Sequence, residues 1–134
     1  MKGQILLLIC LLCCLNLFGQ ISDDVGVEEI YLAKDNGEGL AGDLAKSFYT
    51  TDIPIHCIVK LNSFKSATVK MNFIAVKVLG VKPETKVISI NYKTNGEQSQ
   101  VNFTGKPDKV WIAGNYRIDI LIDDKPAQSL DFEI

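Results

Sequence analysis

Beyond residue 20 this 134-residue chain has one cysteine, one histidine, one tryptophan and one arginine. Each scarcity removes a class of chemistry. Cys57 has no partner for an internal disulfide, so an exported domain of this size must rely on its apolar core. One His and one Cys are too few ligands for zinc. No Gly-x-Ser-x-Gly elbow accompanies His56, so a Ser-His-Asp hydrolase has no framework. No Gly-Lys-Ser/Thr follows the glycines of residues 37–42, which excludes a phosphate loop. Basic clusters are missing too. Sixteen acidic and thirteen basic residues after residue 20 leave a net charge near −3, a poor match to nucleic acid or an anionic membrane. No stretch carries the 3.6-residue apolar period of a long helix, and there is no internal repeat or low-complexity linker. Enzyme activity therefore has little support, and no cofactor or metal is expected.

The other three cysteines, Cys10, Cys13 and Cys14, lie in the opening MKGQILLLICLLCCLNLFGQ. Lys2 gives a positive start. Ile5 to Leu17 is apolar except for Asn16, and Gly19 supplies a small residue. That order is the layout of a secretory signal peptide. About 13 apolar residues fall short of the roughly 20 a spanning helix needs. Residues 1–19 are therefore expected to be cleaved. The protein is expected to be exported, secreted or periplasmic, with no stable membrane insertion afterwards. Ile9, Leu12 and Cys13 precede the three cysteines where a lipoprotein signal places a small residue, so lipidation is not expected.

What is present is period-two alternation. Glu28–Lys34 reads as a first strand. Residues 34–43, KDNGEGLAGD, read as an irregular Gly-rich acidic loop, with one helical turn at Leu40–Lys46 and a short edge strand at Phe48–Tyr49. Ile53, Ile55, Cys57, Val59 and Leu61 alternate strictly. Val69, Met71 and Phe73 face one way, and Ile74, Val76 and Val78 then take the opposite phase, which predicts a bulge or a strand that switches sheets. Ile88, Ile90 and Tyr92 form the next inward set. Thr94-Asn95-Gly96-Glu97 predicts a hairpin with positive φ at both central residues. Val101 and Phe103 follow on a short strand. Tyr116, Ile118, Ile120 and Ile122, the turn Asp123–Pro126, and Leu130, Phe132 and Ile134 form a closing hairpin. About seven short strands with turn signals between them argue an all-β, antiparallel two-sheet sandwich. Residues 20–47 are expected to form an N-terminal strand and irregular segment, and 48–134 the sandwich.

The pattern Trp111-x-x-Gly114-x-Tyr116-Arg117-Ile118-Asp119-Ile120, then Asp124-Lys125, then Phe132-x-Ile134, resembles the last two strands of immunoglobulin-like or fibronectin-III-like domains of secreted bacterial proteins. Ile53 to Leu61 looks like their second strand. The resemblance covers residues 48–134 and implies an immunoglobulin-like sandwich with a binding, spacing or adhesion role. The cysteine pair of antibody-type domains is absent.

His56-Cys57 invites a thiolate–imidazole reading, but neighbours on a strand point to opposite faces. Cys57 shares the phase of Ile55 and Val59 and is expected in the core. Asp35, Asn36, Glu38 and Asp43 suggest an oxygen cage for calcium. Counting from Asp35, however, positions 3 and 5 are Gly37 and Gly39 and position 12 is Lys46, which breaks the loop pattern. Trp111 and Tyr116 present either a stacking platform or, the favoured reading, an end plug and a corner tyrosine. The sequence thus points to a non-enzymatic exported module that binds another envelope or secreted protein, with residues 35–47 as the contact surface. The alternative is a carbohydrate- or cell-surface-binding module using Trp111, Tyr92 or Tyr49.

Overall fold

The computed structural model describes residues 24–134. The expected leader, with its cysteines and cleavage point, lies outside the described residues. Within them the chain forms strands and no helix: β1 (Val27–Asp35), β2 (Ala41–Leu44), β3 (Ile55–Leu61), β4 (Thr68–Val78), β5 (Thr85–Lys93), β6 (Gln100–Gly105), β7 (Gly114–Ile122) and β8 (Lys125–Glu133). They build two four-stranded antiparallel sheets, ordered β2-β1-β3-β6 and β5-β4-β7-β8. This is the expected sandwich, with eight strands rather than about seven.

Alternation fixes the inner faces. Ile55, Cys57, Val59 and Leu61 on β3 meet Val69, Met71 and Phe73 on β4 and Tyr116, Ile118, Ile120 and Ile122 on β7, all buried. One end of the core is aromatic. Phe73 stacks on Trp111 with centroids 5.1 Å apart and contacts Tyr116 and Phe132 edge-on, while Phe48 meets Phe132 at 6.0 Å.

Six local expectations change. Leu40–Lys46 contains strand β2, not a helical turn, because the Asp35 and Asn36 side chains close the preceding turn and leave residues 41–44 free to pair with β1. With β1 paired to β2 and β3, the N-terminal segment is part of the sandwich, which does not begin at residue 48. Phe48–Tyr49 is not a strand. Only Ser47 bridges to Glu133, and Phe48 turns into the core while Tyr49 stays exposed.

The Asn95-Gly96 turn joins no hairpin, since β5 and β6 lie in different sheets. Only Gly96 has positive φ there. Buried Thr94 redirects the chain: its hydroxyl accepts from the Ala67 N–H at 2.9 Å and its N–H donates to the Ala67 carbonyl at 2.9 Å. The paired positive φ sits instead at Asp123 (50°) and Asp124 (65°) in the β7–β8 hairpin, where it matches the twist of the flanking strands. Tyr92 is exposed rather than inward.

The phase slip in β4 is real but falls later than Phe73. Ala75 keeps the inward phase opposite Tyr116, the β4–β7 register then shifts, and Val78 re-enters the core. Val76 is the extra residue. Ile74 is buried on the opposite face, paired with Arg117. Against β5 the register shifts at the same region: Phe73 pairs Ile88 and Ile74 pairs Lys86, so Val87 is the bulged residue of an edge strand.

Candidate functional site

The β1–β2 hairpin carries four of the six candidate residues. Its turn is built by side chains that accept backbone N–H groups. Asp35 Oδ2 accepts from Gly37 at 2.8 Å and Gly39 at 3.3 Å. Asn36 Oδ1 accepts from Glu38 at 2.7 Å and Leu40 at 3.3 Å, and the Asn36 N–H donates to the Leu40 carbonyl at 2.8 Å. Gly37 and Gly39 supply the positive φ values the path requires.

The other carboxylate oxygen of Asp35 reaches the buried His56 Nε2 at 2.7 Å, and His56 Nδ1 lies 3.5 Å from the Thr104 hydroxyl. His56 pairs in register with Ala33 on β1 and Thr104 on β6, so the three strands are linked across the outer face of their sheet. The His56 hydrogen bond, followed by the turn amides, holds the Asp35 carboxyl below the usual carboxylate range. Both Asp35 oxygens are thereby occupied. The trio pins the hairpin to the sheet.

Adjacent Cys57 points the other way, into the core. Burial pushes its thiol up to about 12, and the thiolate is the reactive form. Cys57 should therefore resist an aromatic disulfide reagent for hours in buffer and react at once in urea. Rapid labelling of the folded chain would refute this placement. Among the described residues no group of three or more His, Cys, Asp or Glu side chains is placed to hold a metal ion.

Trp111 and Tyr116 do not join the hairpin residues at a surface. Each is 5% exposed. The Trp111 indole N–H donates to the Asp52 carbonyl at 2.7 Å, and the Tyr116 hydroxyl donates to the carbonyl of Ile112, four residues upstream. These are the plug and the corner tyrosine. A sugar-stacking face on Trp111 is not available, whereas Tyr49 and Tyr92 are exposed. One face of Tyr49 is covered by Lys34 Nζ, 4.7 Å from the ring centroid.

The hairpin's outward groups are Glu38, Asp43, Leu40 and Leu44. All four β2 residues are exposed, and Leu40 and Leu44 are each 63% exposed. Sequence reasoning singled out the acids and missed the leucines. Their signal was available: two large apolar residues in a stretch otherwise made of Gly, Ala and Asp.

Comparison with solved structures settles the architecture. An immunoglobulin-like protein of Pseudomonas aeruginosa superposes with a TM-score of 0.51 at 10% identity, covering 82% of this chain and 95% of that one. The fold is an immunoglobulin-like sandwich. The alkylpurine DNA glycosylase AlkC of Pseudomonas fluorescens, solved with DNA containing an abasic-site analogue, also aligns, with a TM-score of 0.51 at 13% identity. This chain is matched over 81% of its length but spans only 30% of the glycosylase. No protein-family profile matches the chain, and no curated protein does. At these identities the likeness concerns the fold alone, and the site must be argued from its own residues.

Proposed function

We propose that this chain is a non-enzymatic, exported interaction module that contacts another envelope or secreted protein through its β1–β2 hairpin. The apolar leader supports export. The observation that carries the binding reading is the exposure of Leu40 and Leu44 on a hairpin whose turn is fixed by local hydrogen bonds to Asp35 and Asn36, with Asp35 held in turn by His56 of β3. An apolar group held rigidly in water has no folding benefit where it sits. It loses little further conformational entropy when a partner covers it. Glu38 and Asp43 surround it with negative charge, which orients a partner rather than adding much affinity.

A photo-crosslinking residue at the exposed position of Asp43 on β2, in the full-length chain in its host, should capture one dominant envelope or secreted protein. The same residue at Gln128, on β8 beside the start of β1 and away from the hairpin turn, should not. The double variant Leu40→Ser, Leu44→Ser should abolish capture while leaving the melting temperature within about 2 °C, since exposed substitutions change stability by under about 0.5 kcal/mol. Equal capture from both positions, or capture that survives the double variant, would remove the hairpin as the contact.

A further inference from the structure

A second surface lies on the opposite edge of the sandwich, where β5 and β6 end their sheets side by side. Ile88 of β5 approaches Gly105 of β6 closely there: a Cβ on Gly105 would lie 3.4 Å from its Cδ1. Beyond Gly105 the chain runs through residues 106–113, and the space between this loop and β5 is a groove of about 500 Å³. That size suits a few side chains of a bound peptide. The buried rings of Trp111 and Tyr116 help form its lining, with Val81, Val87, Val110 and Ile112 around them.

The apolar rim follows from the plug. Trp111 is fixed inward by its indole bond to Asp52 and by its N–H bond to the Thr50 carbonyl at 3.0 Å. Its chain neighbours Val110 and Ile112 are left outward, 56% and 52% exposed. Val87 is exposed because it is the extra residue of the bulge. These side chains fill no gap in the fold.

The charge around the groove runs against that of the chain. Lys106 and Lys109 line it, and Lys82 and Lys86 stand next in sequence to Val81 and Val87. None of the four forms an ion pair among the described residues. The carboxylates in the same two stretches are Asp108 and Glu84, and Glu84 is already bridged by both terminal nitrogens of Arg117, at 3.1 and 2.6 Å. A locally positive apolar groove on an acidic domain is complementary to an acidic segment with an apolar anchor.

The bulge and the edge lysines also obstruct addition of another strand to β5. The occupant is therefore held by the groove and its charges rather than by extending the sheet. We propose that this groove binds an acidic peptide segment of a partner protein, with an apolar side chain of that segment seated between Val87 and Ile112. The proposal does not rest on the hairpin contact, which lies on the other edge.

The test is amide and indole NMR of the full chain titrated with a capped synthetic peptide, Glu-Glu-Leu-Phe-Glu-Glu. Saturable shifts should appear at Val81, Val87, Ile88, Val110, Ile112 and the Trp111 indole. A peptide with Lys in place of Glu should give none. The variant Lys106→Glu, Lys109→Glu should weaken binding about five-fold or more, because rim charges act through attraction that reversal turns to repulsion. The variant Leu40→Ser, Leu44→Ser should bind as the parent does, so failure here and failure of the hairpin reading are separable. Absence of shifts, equal binding of the Lys peptide, or shifts centred on residues 35–44 would overturn the proposal. So would concentration-dependent shifts of the same groove residues without peptide, which would make a second copy of the chain the occupant.

Discussion

Phe73→Ala is expected to lower the unfolding free energy by about 3–5 kcal/mol, the largest effect of any single truncation in this core. Phe73 is 1% exposed on β4, which pairs with β5 on one side and β7 on the other. Its ring lies parallel to Trp111, at 8°, and meets Tyr116 at 5.5 Å and Phe132 at 5.0 Å. Removing it deletes three ring contacts, each worth about 0.5–1.5 kcal/mol beyond the buried area. The space left behind cannot close easily, because a strand held on both edges cannot shift toward the other sheet without breaking two ladders. At roughly 4 °C per kcal/mol for a domain of this size, the melting temperature should fall by about 12–20 °C. Urea unfolding followed by circular dichroism measures the loss, and Trp111 emission in the folded variant should move to the red as its stacking partner disappears. Val87→Ala, at the exposed bulge, is the control and should change stability by under about 0.5 kcal/mol. A Phe73→Ala loss no larger than the control's would mean that the aromatic end is not where the two sheets are held together.

The parts of this fold that were legible in the sequence are those set by alternation. The inward series on β3 and β7 follow directly from Ile55-x-Cys57-x-Val59-x-Leu61 and Tyr116-x-Ile118-x-Ile120-x-Ile122. The closing hairpin is legible for the same reason, with a polar turn between two alternating runs. Where long-range contacts decide, the local signal misleads. Asn95-Gly96 has hairpin chemistry, yet Thr94 is bonded to Ala67, 27 residues away, and the chain is carried to the other sheet. Asp123-Asp124 lacks a glycine and still takes the two positive φ values, since the ladders between β7 and β8 impose the turn.

The candidate site shows the same division. Asp35 and Asn36 were visible as turn residues, and they do shape the turn. The pairing of Asp35 with His56 was not visible, because it depends on the β1–β3 register that sets Ala33 opposite His56. A polar residue off phase in an apolar strand hints that something covers it, but not what. Trp111 was readable as a core residue only through the resemblance, whereas Tyr116 also follows from the alternation of β7. Composition alone makes an isolated Trp as good a platform as a plug.

The glycine of the Trp-x-x-Gly-x-Tyr pattern has a cause that only the structure shows. Gly114 opens β7 and exchanges both backbone bonds with Ile134, donating to its carbonyl at 2.9 Å and accepting from its N–H at 3.0 Å. On its other side it pairs with Val78 of β4. A Cβ at Gly114 would lie 2.4 Å from the Lys77 carbonyl oxygen and 3.0 Å from the Val78 Cα. Both obstacles are backbone, so no rotamer change relieves them, and the opposing bonds to Ile134 prevent retreat. Gly114→Ala should therefore cost about 3 kcal/mol, toward the upper end for overpacking, and lower the melting temperature by about 12 °C. Gly37→Ala separates sterics from backbone preference. Gly37 has φ +91° but nothing within 4 Å of the added carbon, so only the conformational cost of about 1–2 kcal/mol applies. Thermal unfolding of the two variants side by side decides the matter. Equal losses would show that φ alone sets the requirement. A Gly114 loss at least 1 kcal/mol the larger, by order of magnitude, would show that the β4 backbone does. In the second case the substitution also pushes β7 away from Val78, so Trp111 and the groove beside it should lose their packing together.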